Sequence, residues 1–542
     1  MKTRYILLCA LMMGSSLYAQ TQYDAATFAE GELNGTARYV GMGGAMGALG
    51  ADISVIGSNP AGIGLFRGND FSATMGFNNT RTKSSFGGNN EKDDRTKASF
   101  DQIGFVYSNK IGNRTDLRYV NFGFNYHKKA NFNKRMFNGG MLSNGLSQTQ
   151  QMANMMADFT EKQIDDIYNF ELDKSGPENP YLSAQQYPYL GVLGVRNELV
   201  SLDGEGNKIG WLGEQNAYRS DEEGGISQYD FNVSFNVRDR MFFGITLGIY
   251  DLDYKKYSYY TEDIYDGNHN GYYEMQNMMA TEGTGVDVKI GAIFRPIEDS
   301  PFRLGFAIHT PTWYSLTYYY NSYMNSSLVY RYDEVDNNGK PVFGPDGNQQ
   351  IIEEKVEVED DIARNVNGDV LSDYRLNTPW KFNISMGTVV AGTMAIGAEY
   401  EYADFASSKL LYDDGYKMEG QNSIIKEDLK GVHTVKLGIE SRLTPEFSMR
   451  AGYNYSTSIY ERTAYKALNW NDMRTDVDYN NTFSKNTVTF GLGYAGRYFY
   501  ADMAYKYNMY KSDFYAFSDE GLAPVKVDNE RHQVLFTVGA HF

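Results

Sequence analysis

Enzymatic chemistry needs a nucleophile, an acid–base pair or a bound metal at workable spacing, and the reactive residues of this chain are not arranged that way. The six histidines are scattered, and neither His-Glu-x-x-His nor Gly-x-Ser-x-Gly occurs. Asp266-Gly267-Asn268-His269-Asn270-Gly271 resembles the first half of a calcium loop, but its twelfth position is Asn277 where a bidentate Glu belongs. A plain turn is the better reading. The glycine-rich stretch from Gly35 to Asp52 is no dinucleotide site, because no strand precedes it and Gly-x-Gly-x-x-Gly fails at Met46. The sole cysteine is Cys9, so a chain cleaved after residue 19 has neither disulfide nor thiol chemistry. No enzyme, cofactor or metal site is expected. What remains is non-covalent chemistry, apolar contact and charge, and its residues recur on alternate positions of extended segments.

Those segments are clearest at the end of the chain. Val534, Phe536, Val538, Ala540 and Phe542 share one face, and Gln533, Thr537, Gly539 and His541 share the other. Period-two alternation suits a strand with one greasy and one wet face. A last strand closing on Phe, here with Phe536, Val538 and Phe542, resembles the insertion signal of bacterial outer-membrane barrels, which implies recognition by the barrel-assembly machinery. At the start, Lys2 and Arg4 precede a mostly apolar stretch from Tyr5 to Met13, and small residues lead to a cut before Gln20. Residues 1–19 therefore read as a secretory signal peptide.

Aromatics make up 15% of the chain, with 45 Tyr and 31 Phe. Mean hydropathy is −0.50, and no apolar run after residue 19 is long enough for a membrane helix. A membrane barrel alternates too weakly for low hydropathy to count against it. The net charge of −18 argues against a nucleic-acid partner. Acidic runs such as Ile351 to Glu354 and Glu357 to Asp361 read as solvated loop.

Alternation recurs near 69–80, 98–109, 118–130, 225–237, 241–257, 284–295, 301–320, 374–389, 393–406, 431–443, 446–460, 485–495, 498–510 and 530–542. That makes about fourteen strands. The connections run long, short, long, short. Short ones include Arg238-Asp239-Arg240, Val390-Ala391-Gly392 and Thr444-Pro445, whereas long ones cover 81–97, 131–224, 259–283, 321–373, 407–430, 461–484 and 511–529. In a meander, this parity means one short-turn end and one long-loop end, the plan of an outer-membrane barrel. One strand face is apolar, as in Val286, Val288 and Ile290 against Asp287 and Lys289, or Met394, Ile396 and Ala398 against Glu399. A Lys or Arg facing mid-bilayer lipid costs about 2–4 kcal/mol, so the charged faces should point into the lumen. Tyr257-Ser258-Tyr259-Tyr260 and Tyr318-Tyr319-Tyr320 suit an interfacial aromatic girdle.

Residues 20–68 do not alternate and read as a compact segment of small residues that packs closely on other backbone. Gly35-x-x-Arg38, Gly43-Gly44-Ala45, Asp52 and Asn59-Pro60-Ala61 follow one another there. Leu304 to Trp313 and Leu376-Asn377-Thr378-Pro379-Trp380 are further echoes. On these residues the chain resembles the FadL-type (FadL/TodX) outer-membrane transporters of long-chain fatty acids and other hydrophobic compounds. The resemblance implies an all-β transmembrane antiparallel barrel of about fourteen strands with long extracellular loops. It places residues 20–68 as a hatch inside the lumen and residues 69–542 as the barrel, in a bacterial outer membrane among lipid and lipopolysaccharide. It also implies a hatch role for Gly35, Arg38, Gly43, Gly44, Asp52, Asn59, Pro60 and Ala61. For Asn59-Pro60-Ala61, a turn that only anchors the hatch stands beside a direct part in gating. The implied function is passive, hatch-gated uptake of hydrophobic compounds, most of all long-chain fatty acids, by a monomer, with sideways exit through the wall. The loops 131–224 and 321–373 are longer than in the family pattern.

Within the first of those loops, Met152, Met155, Met156, Phe159, Ile164 and Ile167 recur at near-helical spacing. Methionine suits promiscuous apolar binding, so Met152, Met155, Met156 and Phe159 are candidates for an outer ligand groove. The alternative is a helix packed on its own loop. Two rival functions stay open: a haem or other surface receptor, with His127, His269 or His309 as ligands, and a general polar porin.

Overall fold

The computed structural model describes residues 20–183, 186–336, 340–344, 346, 348–466, 468 and 471–542. The expected signal peptide, residues 1–19, lies outside them. The chain forms a closed antiparallel barrel of 14 strands. In order these are β1 (Asp70–Phe86), β2 (Asn89–Lys110), β3 (Leu117–Asn131), β4 (Leu212–Val237), β5 (Met241–Asp266) and β6 (His269–Phe294). β7 runs in two pieces, Arg303–His309 and Trp313–Asp333, and β8 likewise in Val370–Asn377 and Lys381–Val390. Then follow β9 (Met394–Asp404), β10 (Gly431–Arg442), β11 (Phe447–Ser456), β12 (Tyr479–Ala495), β13 (Phe499–Tyr515) and β14 (Val525–His541). The breaks in β7 and β8 fall at Pro311 and Pro379, where a ladder donor is missing. β14 pairs with β1 from His541↔Asp70 to Lys526↔Ser85, which closes the wall. No helix among the described residues is long and apolar enough to cross a membrane.

The barrel is built inside out, as the alternation requires. Val286 and Ile290 are exposed, while Asp287 and Lys289 between them are buried in the lumen. Glu399, Lys436, Asp502 and Lys506 are buried in the same way. Phe243, Ile245, Leu247 and Ile249 lie exposed along β5 until the outward face turns acidic at Asp251. On β14, Phe536 and Val538 face out, and Glu530 and Asp528 follow beyond them. An apolar outward stretch of about ten residues per strand is what a bilayer asks of a tilted strand.

The parity of connections holds, with three corrections. The segment 321–373 is only partly loop, because β7 runs on to Asp333 and the acidic run Ile351–Asp361 is a strand paired with it. The segments 81–97 and 259–283 are not loops. β1 and β2 run on to a tight turn at Gly87-Gly88, and β5 and β6 to one at Gly267-Asn268. Above the membrane neither face must be apolar, so the period-two signal fades while the hydrogen-bonded ladder continues. The calcium-like motif is the second of these turns. The aromatic girdle is also only partly right. Tyr257 is exposed, but Tyr260, Tyr318 and Tyr320 point inward and are buried in a large apolar core that fills the outer half of the lumen.

Candidate functional site

The N-terminal segment lies inside the barrel and touches most of its strands. Helix α1 (Gln22–Ala29) leads to a short helix α2 (Ala37–Gly41) and two 3-10 turns, Ile53–Gly57 and Pro60–Leu65. Each turn is capped by its own polar residue. Thr36 Oγ1 accepts from Tyr39 N, Asp52 Oδ1 from Ser54 N, and Asn59 Oδ1 from Ala61 N. Pro60 stands at the first helical position, where it has no donor to lose.

Most of the sequence-predicted hatch residues prove to be contacts between this segment and the wall. Arg38 Nε and Nη2 donate to the Glu440 carboxylate of β10 at 2.9 and 3.0 Å. Asp52 accepts from Thr36 Oγ1 at 2.9 Å, and its burial raises the carboxyl pKa. Gly35, at φ 140°, leaves no room for a Cβ beside Ser54. Gly43, at φ 62°, approaches Leu437 O and Tyr453 N so closely that a Cβ would lie 2.9 Å from each, and Gly44 packs on Leu33. Asn59 Nδ2 donates to Gly47 O at 2.9 Å. Pro60 O accepts from Ser234 Oγ at 2.7 Å, and Ala61 packs with Phe242 and Ile293. Asn59-Pro60-Ala61 is thus tied to β4, β5 and β6.

The wall's half of this contact escaped the sequence reading. Gly387, Gly397, Gly438 and Gly452 pair side by side across β8 to β11. They form a flat lane on which residues 42–49 lie backbone to backbone. Gly244 and Gly291 pair in the same manner on β5 and β6, under Pro60 and Asn59. The usable signal was glycine recurring at inward positions of consecutive strands, which marks a close backbone approach.

On the loop side of this segment is a cavity of about 250 Å³. Leu33, Phe405, Val432 and Ile459 give it an apolar flank. Seven basic side chains line it: Lys129, Lys289, Lys381, Lys436, Lys485, Lys506 and Arg531. Four of them are matched. Lys289 pairs with Asp230 and Asp287, Lys436 with Glu399 and Glu401, Lys485 with Glu30, and Arg531 with Glu32. Lys129, Lys381 and Lys506 have no carboxylate within ion-pair distance among the described residues. Lys129 Nζ donates to Tyr314 OH at 3.4 Å and lies 4.6 Å from the centre of the Tyr250 ring, and Lys506 Nζ donates to Leu33 O. His127 and His309 also line the cavity, with His309 Nε2 2.9 Å from Ser58 O. His269 lies far off, on the outer hairpin beside Tyr330 and Tyr332.

Beside this cavity the wall is incomplete. β2 pairs with β3 only from Lys110↔Tyr119 to Gln102↔His127, while β3 continues along β4 with a bulge at Lys129. The N-terminal segment fills the gap. Asn34 Nδ2 donates to Asp101 Oδ1 and Lys128 O, and Glu32 N donates to Lys129 O. Arg95 closes the gap above by pairing with Asp221 and Glu223 of β4.

The outer loop holds two helices where one was expected, α3 (Gln148–Met155) and α4 (Glu161–Tyr168), broken at Met156 to Thr160. Met152, Met156 and Phe159 are buried under a third helix, α5 (Tyr189–Arg196), which approaches through Gly191 and Gly194. Met155 alone is half-exposed. Their apolar face therefore packs on its own loop. Among the described residues no group of His, Cys, Asp and Glu is placed to hold a metal ion.

Compared with known proteins, the sequence matches no family model and no curated protein. Solved structures do match over nearly the whole chain. A FadL homologue of Pseudomonas aeruginosa superposes with a TM-score of 0.51 at 11% identity, covering 95% of this chain and 100% of that one. The toluene transporter TodX of Pseudomonas putida gives 0.44 at 9% identity over 95% and 100%. The toluene transporter TbuX of Ralstonia pickettii gives 0.42 at 12% identity over 94% and 99%. At 11% identity the likeness to the FadL homologue speaks for the fold. A closed barrel with an apolar outer belt satisfies its backbone in lipid without helices, and its location is the bacterial outer membrane. The chain is an outer-membrane β-barrel with the FadL fold.

Proposed function

We propose that this protein admits long-chain fatty acids, or hydrophobic anions like them, across the outer membrane by passive uptake, with residues 20–68 as the hatch. One observation carries the reading. Three lysines without carboxylate partners face an apolar flank in the cavity beside the N-terminal segment. A neutral solute would leave those ammonium groups unanswered. A fatty acid places its carboxylate among them and its chain along Leu33, Phe405, Val432 and Ile459. An unpaired charge in a low-dielectric cavity is costly, and an anionic ligand offsets that cost. From the cavity, the gap between β2 and β3 offers a way into the membrane once Glu32 and Asn34 withdraw. Capture at the outer surface requires α3 and α5 to part, because the methionines that would form a groove are covered.

The test is saturable binding and vesicle uptake of a labelled long-chain fatty acid by the purified protein, with haem and a small sugar as controls. Uptake without sugar flux is expected. It should fall at least tenfold in a Lys129→Ala/Lys381→Ala/Lys506→Ala variant that keeps the heat-dependent gel shift of a folded barrel. Sugar flux through the unaltered protein would point instead to a polar pore. Haem binding without fatty-acid binding would point to a receptor using His127 or His309.

A further inference from the structure

The lumen has a second obstruction on the loop side of the N-terminal segment. Residues 471–478, Asn-Asp-Met-Arg-Thr-Asp-Val-Asp, belong to the connection between β11 and β12, and every one of them is buried. Four are ionisable. A solvated loop of this composition would lie outside, but this one crosses the barrel. Its root is at β11 and β12, and its partners are on β4 to β7, the opposite arc of the wall. Asp478 accepts from Tyr218 of β4 at 3.0 Å and pairs with Lys256 of β5. Thr475 bonds Asn277 of β6 and Tyr320 of β7. Asp472 O accepts from Tyr189 N at the start of α5.

The strap is also fastened to the N-terminal segment beneath it. The Arg474 guanidinium bridges Asp476 of the strap and Asp24 of α1, over the face of Tyr318. Two further bonds hold α1 from the loop side. Gln22 Nε2 donates to Asp428 and to Tyr465 O, each at 2.8 Å. Below the strap is a second cavity of about 230 Å³, lined by Asp24, Glu30, Ser220, Lys256 and Arg474 among others. It shares Glu30, Glu32, Lys485 and Arg531 with the lysine-lined cavity.

We propose that residues 471–478 form an outer gate, and that the Arg474–Asp24 ion pair couples this gate to the N-terminal segment. A buried ion pair is weak support for stability, since removing two charges from water offsets most of their attraction. It is well suited to holding two moving parts in register, and breaking it leaves a buried charge that drives them apart. This is independent of what the protein carries, because the strap closes the path to any solute from the loop side.

The experiment uses a reporter that does not depend on transport. The chain's only cysteine is Cys9, inside the expected leader, so a cysteine at Ser220, beneath the strap, reacts alone. A membrane-impermeant maleimide is added to intact cells. Labelling of Ser220→Cys should be slow in the otherwise unaltered protein and at least tenfold faster with Arg474→Glu. It should slow again, though only part of the way because Asp476 is left facing a carboxylate, in the charge swap Asp24→Arg/Arg474→Glu, a rescue that misfolding could not give. Labelling that Arg474→Glu leaves unchanged, in a barrel that still shows its gel shift, overturns the proposal. A second arm keeps the native ion pair. Oxidising Asn277→Cys/Thr475→Cys, at a site where the two polar atoms are 2.5 Å apart, should lock the strap to β6, abolish fatty-acid uptake and be reversed by reduction. Uptake undiminished in the oxidised form also overturns it. If the unaltered protein takes up no fatty acid, the substrate reading fails while the labelling rates still decide the strap.

Discussion

At the residue scale, the contact between the N-terminal segment and the wall depends on absent side chains. A Cβ at Gly387 would meet Leu49, and one at Gly397 would meet Ala45 O. Gly397→Val should force these backbones apart. Overpacking of a tight contact costs about 1–3 kcal/mol, and the strain falls on the segment, because the β9 ladder to β8 and β10 is continuous. The expected result is a folded barrel whose residues 20–68 are cut by added protease much faster than in the unaltered protein. Equal cutting rates would show that the lane is not what seats the segment. This half of the site was legible only in part. Gly43, Asn59 and Pro60 stand in a recognisable motif, whereas the wall glycines are spread over strands far apart in sequence. Their shared level in the barrel becomes visible only when the strand registers are known.

At the element scale, the strap carries its own pH dependence. Burial pushes the Asp472 carboxyl up to about 7 from an ordinary 3.8. It accepts from Arg474 N and faces Arg474, Asp476 and Lys466, while α5 meets its backbone through Tyr189. With the strap closed the carboxyl holds its proton, and with the strap open and hydrated it does not. The closed form binds more protons between pH 3.8 and 7, so its stability falls as pH rises through that window and levels off above it. Labelling of Ser220→Cys, taken relative to an exposed Asn268→Cys on the same barrel to remove the loss of thiolate at low pH, should therefore slow as cells are shifted from pH 7 to pH 5. Asp472→Asn should flatten that dependence, and an unaltered slope would remove Asp472 from the account. This element carries no mark in the sequence, since an acidic loop with one Arg reads as solvated until its partners Lys256, Asp24 and Lys466 are placed around it. The methionine helix teaches the same lesson. Its spacing correctly marked an apolar face, but only α5, some thirty residues on, decides whether that face meets ligand or protein.

At the scale of the whole molecule, alternation and loop parity were enough to anticipate a fourteen-stranded membrane barrel, because lipid imposes an outward apolar face on every strand. Nothing comparable constrains the lumen, and there the sequence was least readable. The lumen is a stack: strap, upper cavity, the Glu30–Lys485 and Glu32–Arg531 pairs, lysine-lined cavity, then the segment on its glycine lane. One way out of that stack avoids displacing the glycine-seated segment, and it is the break between β2 and β3. Asn34 closes it, with Nδ2 2.9 Å from Asp101 Oδ1. An Asn34→Cys/Asp101→Cys disulfide should hold that stretch against the wall without touching the lysines. Binding of a labelled fatty acid should persist in the oxidised protein while transfer to the vesicle membrane drops at least tenfold, and reduction should restore it. If transfer continues with the gap pinned, the ligand leaves past residues 42–49 toward the short-turn end, and the Gly397→Val barrel should then be the faster one. The two variants thus divide the sideways route from the straight one.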